Sequence, residues 1–169
     1  HFCDHHHPVN FNVGKIAGGD WASSVPAWCT FDMRVGVLPS QTLKECRQEI
    51  EDLVRTAAAR DPFLGNNPPT VTWEGFQAEP FVLKNHEQVR AVLAEAHRTV
   101  FGSALEDKTS TGTADNRFFG LYAGIPALVY GPQSDDIHGF DERVNLESIR
   151  KITQSTALFI AEWCGLQKK

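Results

Sequence analysis

His138 stands in the run His138-Gly139-Phe140-Asp141-Glu142, just after a strand-like stretch at 127–130 and the breaker Gly131-Pro132. Ligands and catalytic groups collect on loops that leave strand ends, and neutral imidazole is the commonest protein metal ligand. A loop histidine bonded to backbone is the plain alternative. A catalytic zinc site takes about three protein ligands plus an open position, and partners for His138 are not identifiable from the spacing of the remaining residues. Asp141 and Glu142 either orient the histidine loop from behind or form an ordinary surface acid pair.

Arg34 is the second candidate. In 27–35 the alternation places Ala27, Cys29, Phe31, Met33 and Val35 on one face and Trp28, Thr30, Asp32 and Arg34 on the other. A planar guanidinium matches a carboxylate bidentately, which lysine does less well. The competing reading is a cross-strand salt bridge involving Asp32, worth little on an exposed face. Third, Gly112-Thr113 lies in the polar run 109–117. A glycine followed by threonine before a helix can offer backbone N–H groups and a hydroxyl to an anion. Asp115 is then a candidate cap for that helix.

The elements that carry these residues fall into two groups. Residues 11–17 read as a strand ended by Gly18-Gly19, and 27–35 as a strand with one buried and one polar face, as in an antiparallel sheet open on one side. Ser40 is the expected N-cap of a helix whose apolar stripe is Leu43, Cys46, Ile50, Leu53, Val54 and Ala57. A Pro/Asn-rich loop at 61–69 follows, then a strand at 70–76. Strand, strand, helix, strand is most of a split β-α-β arrangement. Beyond a crossing at 79–84, Asn85 is the expected cap of a helix bearing Val89, Val92, Leu93, Ala96 and Val100, with Gly102 at its end. A short helix around 117–122, a strand at 127–130 and a last helix complete the chain. Asn145 caps that last helix, Ile149, Ile152, Thr156, Phe159, Ile160 and Trp163 form its buried stripe, and Gly165 closes it. These pieces read as the returning half of an α/β domain. The domain expectation is therefore 1–79 and 80–169.

Composition narrows the classes. The 169 residues suffice for one domain or two small ones. A formal charge of −5, without a basic run, argues against a nucleic-acid partner. No apolar stretch approaches ~18 residues, so no membrane span is expected. Cys3, Cys29, Cys46 and Cys164 are far apart with no C-x-x-C pairing, which favours reduced cytosolic thiols over disulfides. His1, Cys3, Asp4 and His5-His6-His7 could hold a metal, although adjacent histidines near a terminus more often form a solvated, adventitious metal-binding stretch. The chain does not begin with methionine and shows no signal peptide, which fits a fragment or a processed chain. No G-x-S-x-G elbow or H-E-x-x-H helix is present, and Gly18-Gly19 lacks the rest of a dinucleotide fingerprint.

Two blocks together resemble the M20 metallopeptidase and deacylase family, the group of acetylornithine deacetylase and succinyl-diaminopimelate desuccinylase. The first is Asn12-Val13-Gly14-Lys15-Ile16-Ala17-Gly18-Gly19-Asp20 with Ser23-Ser24-Val25-Pro26 and Phe31-Asp32-Met33-Arg34. It is similar to the family's lid segment, N-x-G-x-I-x-G-G … N-x-x-P … D-x-R, with Ser23 where the family usually has Asn. The second comprises 109–117, 124–132 and 138–142 and resembles the family's C-terminal end.

The resemblance implies an incomplete ferredoxin-like lid and dimerisation domain, followed by the C-terminal part of an α/β zinc-hydrolase catalytic domain. It implies that His138 ligates one of two Zn2+ or Co2+ ions per full-length subunit. It places Arg34 on the substrate carboxylate, Gly112-Thr113 on the acyl or carboxylate end, and Ser23 as a weaker lid contact reaching the neighbouring subunit. The family's H-x-D motif, bridging acid, Glu-Glu pair and lid histidine precede the segment matched here, so no catalytic base is expected in this chain. The implied function is hydrolysis of N-acyl amino acids or dipeptide-like amides by a cytoplasmic homodimer. The alternative is a non-catalytic lid module that acts only in assembly.

Overall fold

The computed structural model describes residue 6 and residues 8–167. The chain divides into two compact units, one comprising His1–Val82 with Thr109–Thr113, the other Leu83–Lys108 with Ala114–Lys169.

In the first unit β1 (Phe11–Gly18) and β2 (Cys29–Val35) form an antiparallel pair, in register from Phe11 opposite Val35 to Gly18 opposite Cys29. A bulge between Val13 and Lys15 shifts the ladder, so Val13 faces Met33 while Lys15 faces Asp32. The connection is tied by Gly19 N–H to Trp28 O at 3.1 Å and by the Trp28 indole N–H to Asp20 Oδ1 at 2.9 Å. The expected buried face is largely uncovered: Phe31 is exposed, and Met33 and Val35 are half-buried. The sheet has two strands, and no described element is layered on it closely enough to remove that face from water.

Helix α1 (Leu43–Ala58) starts at Thr42, not at the expected Ser40. Thr42 Oγ1 accepts from the Glu45 N–H at 3.2 Å, and the Glu45 carboxylate accepts from the Thr42 N–H at 2.8 Å. This reciprocal box satisfies two orphan donors, which a lone serine two residues earlier cannot do. The inward side carries Cys46 and Ala58, with Ile50 and Val54 half-buried, whereas Leu53 points outward.

Residues 70–76 are irregular rather than a strand. Their anchoring is by side chain: the Trp73 indole N–H donates to Glu51 Oε1 at 2.7 Å, and the Arg47 guanidinium lies over the Trp73 ring at 5.5 Å. Without a third strand, the ferredoxin-like pattern is not completed among the described residues. What is observed is a hairpin, a helix and an irregular segment.

The second unit packs α2 (Glu87–Phe101) against α4 (Leu146–Cys164). Leu93 and Ala96 of α2 and Ser148 and Ser155 of α4 are buried. The inward stripe of α4 is Ser148, Ile152, Ser155, Thr156 and Phe159; Ile149, Ile160 and Trp163 of the expected stripe are exposed. Asn145 caps α4, its Oδ1 accepting from the Ser148 N–H at 2.9 Å. α2 ends at Gly102 as expected, but Asn85 does not cap it: His86 holds that position and makes no side-chain cap bond. α3 (Asn116–Ala123) matches the expected short helix.

Residues 127–130 form no strand. A strand needs a ladder partner, and this stretch is held instead by side chains. Asn116 Nδ2 donates to Ala127 O at 3.0 Å, and the Tyr130 hydroxyl contacts His97 Nδ1 at 2.8 Å. β3 (Ser134–Asp135) and β4 (Arg143–Val144) pair as a small antiparallel hairpin around His138. Among the described residues Cys29, Cys46 and Cys164 are free, and no helix is long and apolar enough to cross a membrane.

Candidate functional site

The sequence candidates lie in both units. Arg34, Ser23, Gly112 and Thr113 belong to the first and His138 to the second.

His138 sits at the tip of the β3–β4 hairpin with φ 64°. Asp136 and Asp141 are also left-handed, at φ 54° and 59°. Three non-glycine residues in that region within one short loop are uncommon and store strain. The loop is held by its own contacts. Gly139 N–H donates to Asp136 O at 2.7 Å, and the His138 N–H donates to Glu142 Oε2 at 3.3 Å. Arg143 reaches Asp135 at 3.2 Å and Asp136 at 3.3 Å. A Cβ on Gly139 would stand 2.9 Å from Asp136 O, so only glycine fits there. The His138 imidazole makes no hydrogen bond within the described residues. Glu142 therefore holds the backbone of the histidine, not its ring.

His138 is one donor. Among the described residues no group of three or more His, Cys, Asp or Glu is placed to hold a metal. These residues do not by themselves fit a catalytic zinc site. The segment 3–7, apart from His6, lies outside the described residues.

Arg34 projects from β2 and is exposed. The salt bridge weighed for Asp32 is made by a different cation: Lys15 Nζ lies 3.4 Å from Asp32 Oδ2 across the bulged pair. No ion pair occupies Arg34 among the described residues, and its guanidinium carbon lies 5.6 Å from the centroid of the Phe76 ring. Phe76 was not among the sequence candidates, because 70–76 reads as a strand. The available signal was Gly75 directly before an aromatic residue; Gly75 has φ 74°, a turn that a strand would not contain.

Ser23 is exposed within the turn closed by Ser24 N–H to Trp21 O at 3.1 Å. Thr113 is also exposed. The Gly112 N–H already donates to Ser110 Oγ at 3.2 Å, so an anion there competes with that hydroxyl. Asp115 occupies the N-cap position of α3, but its side chain makes no cap bond.

The family model of peptidase family M20/M25/M40 matches residues 5–162. The chain belongs to this family. The N-formyl-4-amino-5-aminomethyl-2-methylpyrimidine deformylase of Bacillus subtilis (strain 168) is 30% identical over 169 residues, which are 94% of this chain and 39% of that protein. Its namesake from Halalkalibacterium halodurans is 24% identical over 166 residues, 93% of this chain and 39% of that protein. Succinyl-diaminopimelate desuccinylase of Hydrogenovibrio crunogenus is 26% identical over 152 residues, 89% and 38% respectively. The chain thus spans well under half the length of these M20 relatives, whose names each describe removal of an acyl group. M20 enzymes generally bind zinc or cobalt.

Proposed function

We propose that this chain contributes lid and catalytic-domain residues to an M20 amidohydrolase that removes an acyl group from an N-acyl amino acid. The observation that carries this reading is Arg34, exposed on β2 and without an ion pair among the described residues, while Asp32 is met by Lys15. Its edge-on N–H groups suit a carboxylate. Gly112 and Thr113 contribute polar contacts to the substrate's acyl or carboxylate end, and Ser23 a lid contact. His138 is one ligand to a two-metal centre of zinc or cobalt. The described residues do not complete that centre, and no chemical step through a metal follows from them.

The assembly is a homodimer joined through the first unit. The reading is supported by β1 and β2, each of which has one edge unpaired among the described residues. The deformylase and desuccinylase relatives broaden the acyl group beyond acetyl.

In the complete enzyme Arg34→Lys lowers kcat/KM for an N-acyl amino acid about thirtyfold, the equivalent of losing about 2 kcal/mol of charge-assisted bonding. The α-carboxamide analogue, already a poor substrate, changes far less. Equal losses on both substrates would reduce Arg34 to a residue of the sheet.

A further inference from the structure

We propose that Phe76 is a positioning residue for Arg34, holding the guanidinium face so that its N–H edge meets a substrate carboxylate; this rests on the reading of Arg34 as the carboxylate grip. The guanidinium carbon lies over the Phe76 ring at 5.6 Å, inside the roughly 6 Å range at which the ring quadrupole attracts a cation. Carboxylate bonding uses the in-plane N–H groups, so a ring that takes the flat face of the guanidinium does not compete with it. A long arginine side chain on an exposed strand loses several rotors on binding. A ring that already selects one orientation reduces that loss.

The segment that bears the ring is anchored. Trp73 is pinned to α1 by its indole bond to Glu51 at 2.7 Å and by the Arg47 guanidinium at 5.5 Å. Two residues later Gly75, at φ 74°, turns the chain, and Phe76 is delivered over Arg34. The segment that fails to become a strand thereby has a use: it ties the orientation of a β2 side chain to α1. Phe76 is also 53% exposed, so an apolar wall stands next to the grip. That wall suits a substrate with an apolar or planar group beside its carboxylate.

The test uses NMR of the Arg34 Nε–H and δ-methylene signals during titration with N-acetylglycine and, separately, N-acetylglycinamide. Wild type is expected to show a ring-current displacement of the Arg34 δ-methylene and a saturable shift with the carboxylate only. Phe76→Leu keeps apolar bulk but has no π face. It should lose the displacement and weaken carboxylate binding about threefold to fivefold, the fold-change expected of an exposed cation–π contact. Phe76→Tyr should restore both. If Phe76→Leu binds like wild type while Arg34→Lys does not, the positioning role is overturned and the grip stands. If Arg34→Lys binds like wild type, or wild type shows no saturable carboxylate response, the grip itself is overturned and this inference with it.

Discussion

In the second unit, Leu93 and Ala96 of α2 and Ser148 and Ser155 of α4 are buried, and the two helices pack on each other. In the first, the β1–β2 hairpin leaves Phe11, Val13, Ile16 and Phe31 in water. Both units form their elements cleanly. The hairpin and the α2–α4 pair differ in whether an apolar face finds a covering partner among the described residues. A hairpin is closed by local bonds, but it becomes a stable layer only when something packs on its apolar face.

The strongest way to break this contrast is to remove one buried side chain. Leu93→Ala should destabilise the second unit by about 3 kcal/mol through lost transfer energy and the cavity left behind. Leu53→Ala, at a site 66% exposed on α1, should cost less than about 0.5 kcal/mol. Hydrogen exchange of α4 amides, compared with that of α1, reads both. Comparable losses would mean that burial does not distinguish the units.

A smaller effect sharpens the comparison from the other side. If α1 depends on local bonds, its cap matters. Thr42→Ala removes the capping box and should cost about 1 kcal/mol. Hydrogen bonds from the Thr42 backbone and hydroxyl hold the Glu45 carboxyl below its ordinary range. A depressed folded-state value means that the contribution is present above the unfolded glutamate pKa and lost as pH falls through the folded one. Circular dichroism should show α1 losing helicity on acidification in wild type. The Thr42→Ala variant keeps the backbone N–H to the Glu45 carboxylate and loses the hydroxyl, so that component should shrink without vanishing.

The smallest effect lies in the second unit. Burial pushes the His97 imidazole below its ordinary range, with its ring stacked on Phe101 at 4.2 Å and its Nδ1 on the Tyr130 hydroxyl. The unfolded chain therefore takes up a proton first. Stability is full above the ordinary histidine pKa and declines as pH falls below it, until the folded value is passed. Melts at about pH 7 and about pH 5 should show the decline, and His97→Phe should reduce it. An unchanged slope would place the proton uptake on another group.

What could be read from the sequence follows the same division. Asn145, Gly102 and the short helix after Asp115 are local signals, and each held. The α1 start was legible too, since Thr42-x-x-Glu45 is a capping box, and Ser40 was the wrong choice among adjacent hydroxyls. The strands expected at 70–76 and 127–130 failed for a different reason. Their composition suits a sheet, but a ladder is a relation between distant segments, and these two are held by side chains instead. Family membership was legible in the motif order, whereas Phe76 was not: its role depends on a turn at Gly75 that brings it to a residue 42 positions away (76 − 34).

The hairpin around His138 closes upon itself: a two-pair ladder, one arginine on two aspartates, a glycine that admits no side chain and a glutamate on the histidine's own amide. Its contour is thus written almost wholly into residues 133–145, ending where Asn145 N–H meets Gln133 O at 2.9 Å. Such a loop is portable. Moved between any two anchors at the right separation, it would carry the placement of the histidine's backbone along as a cassette.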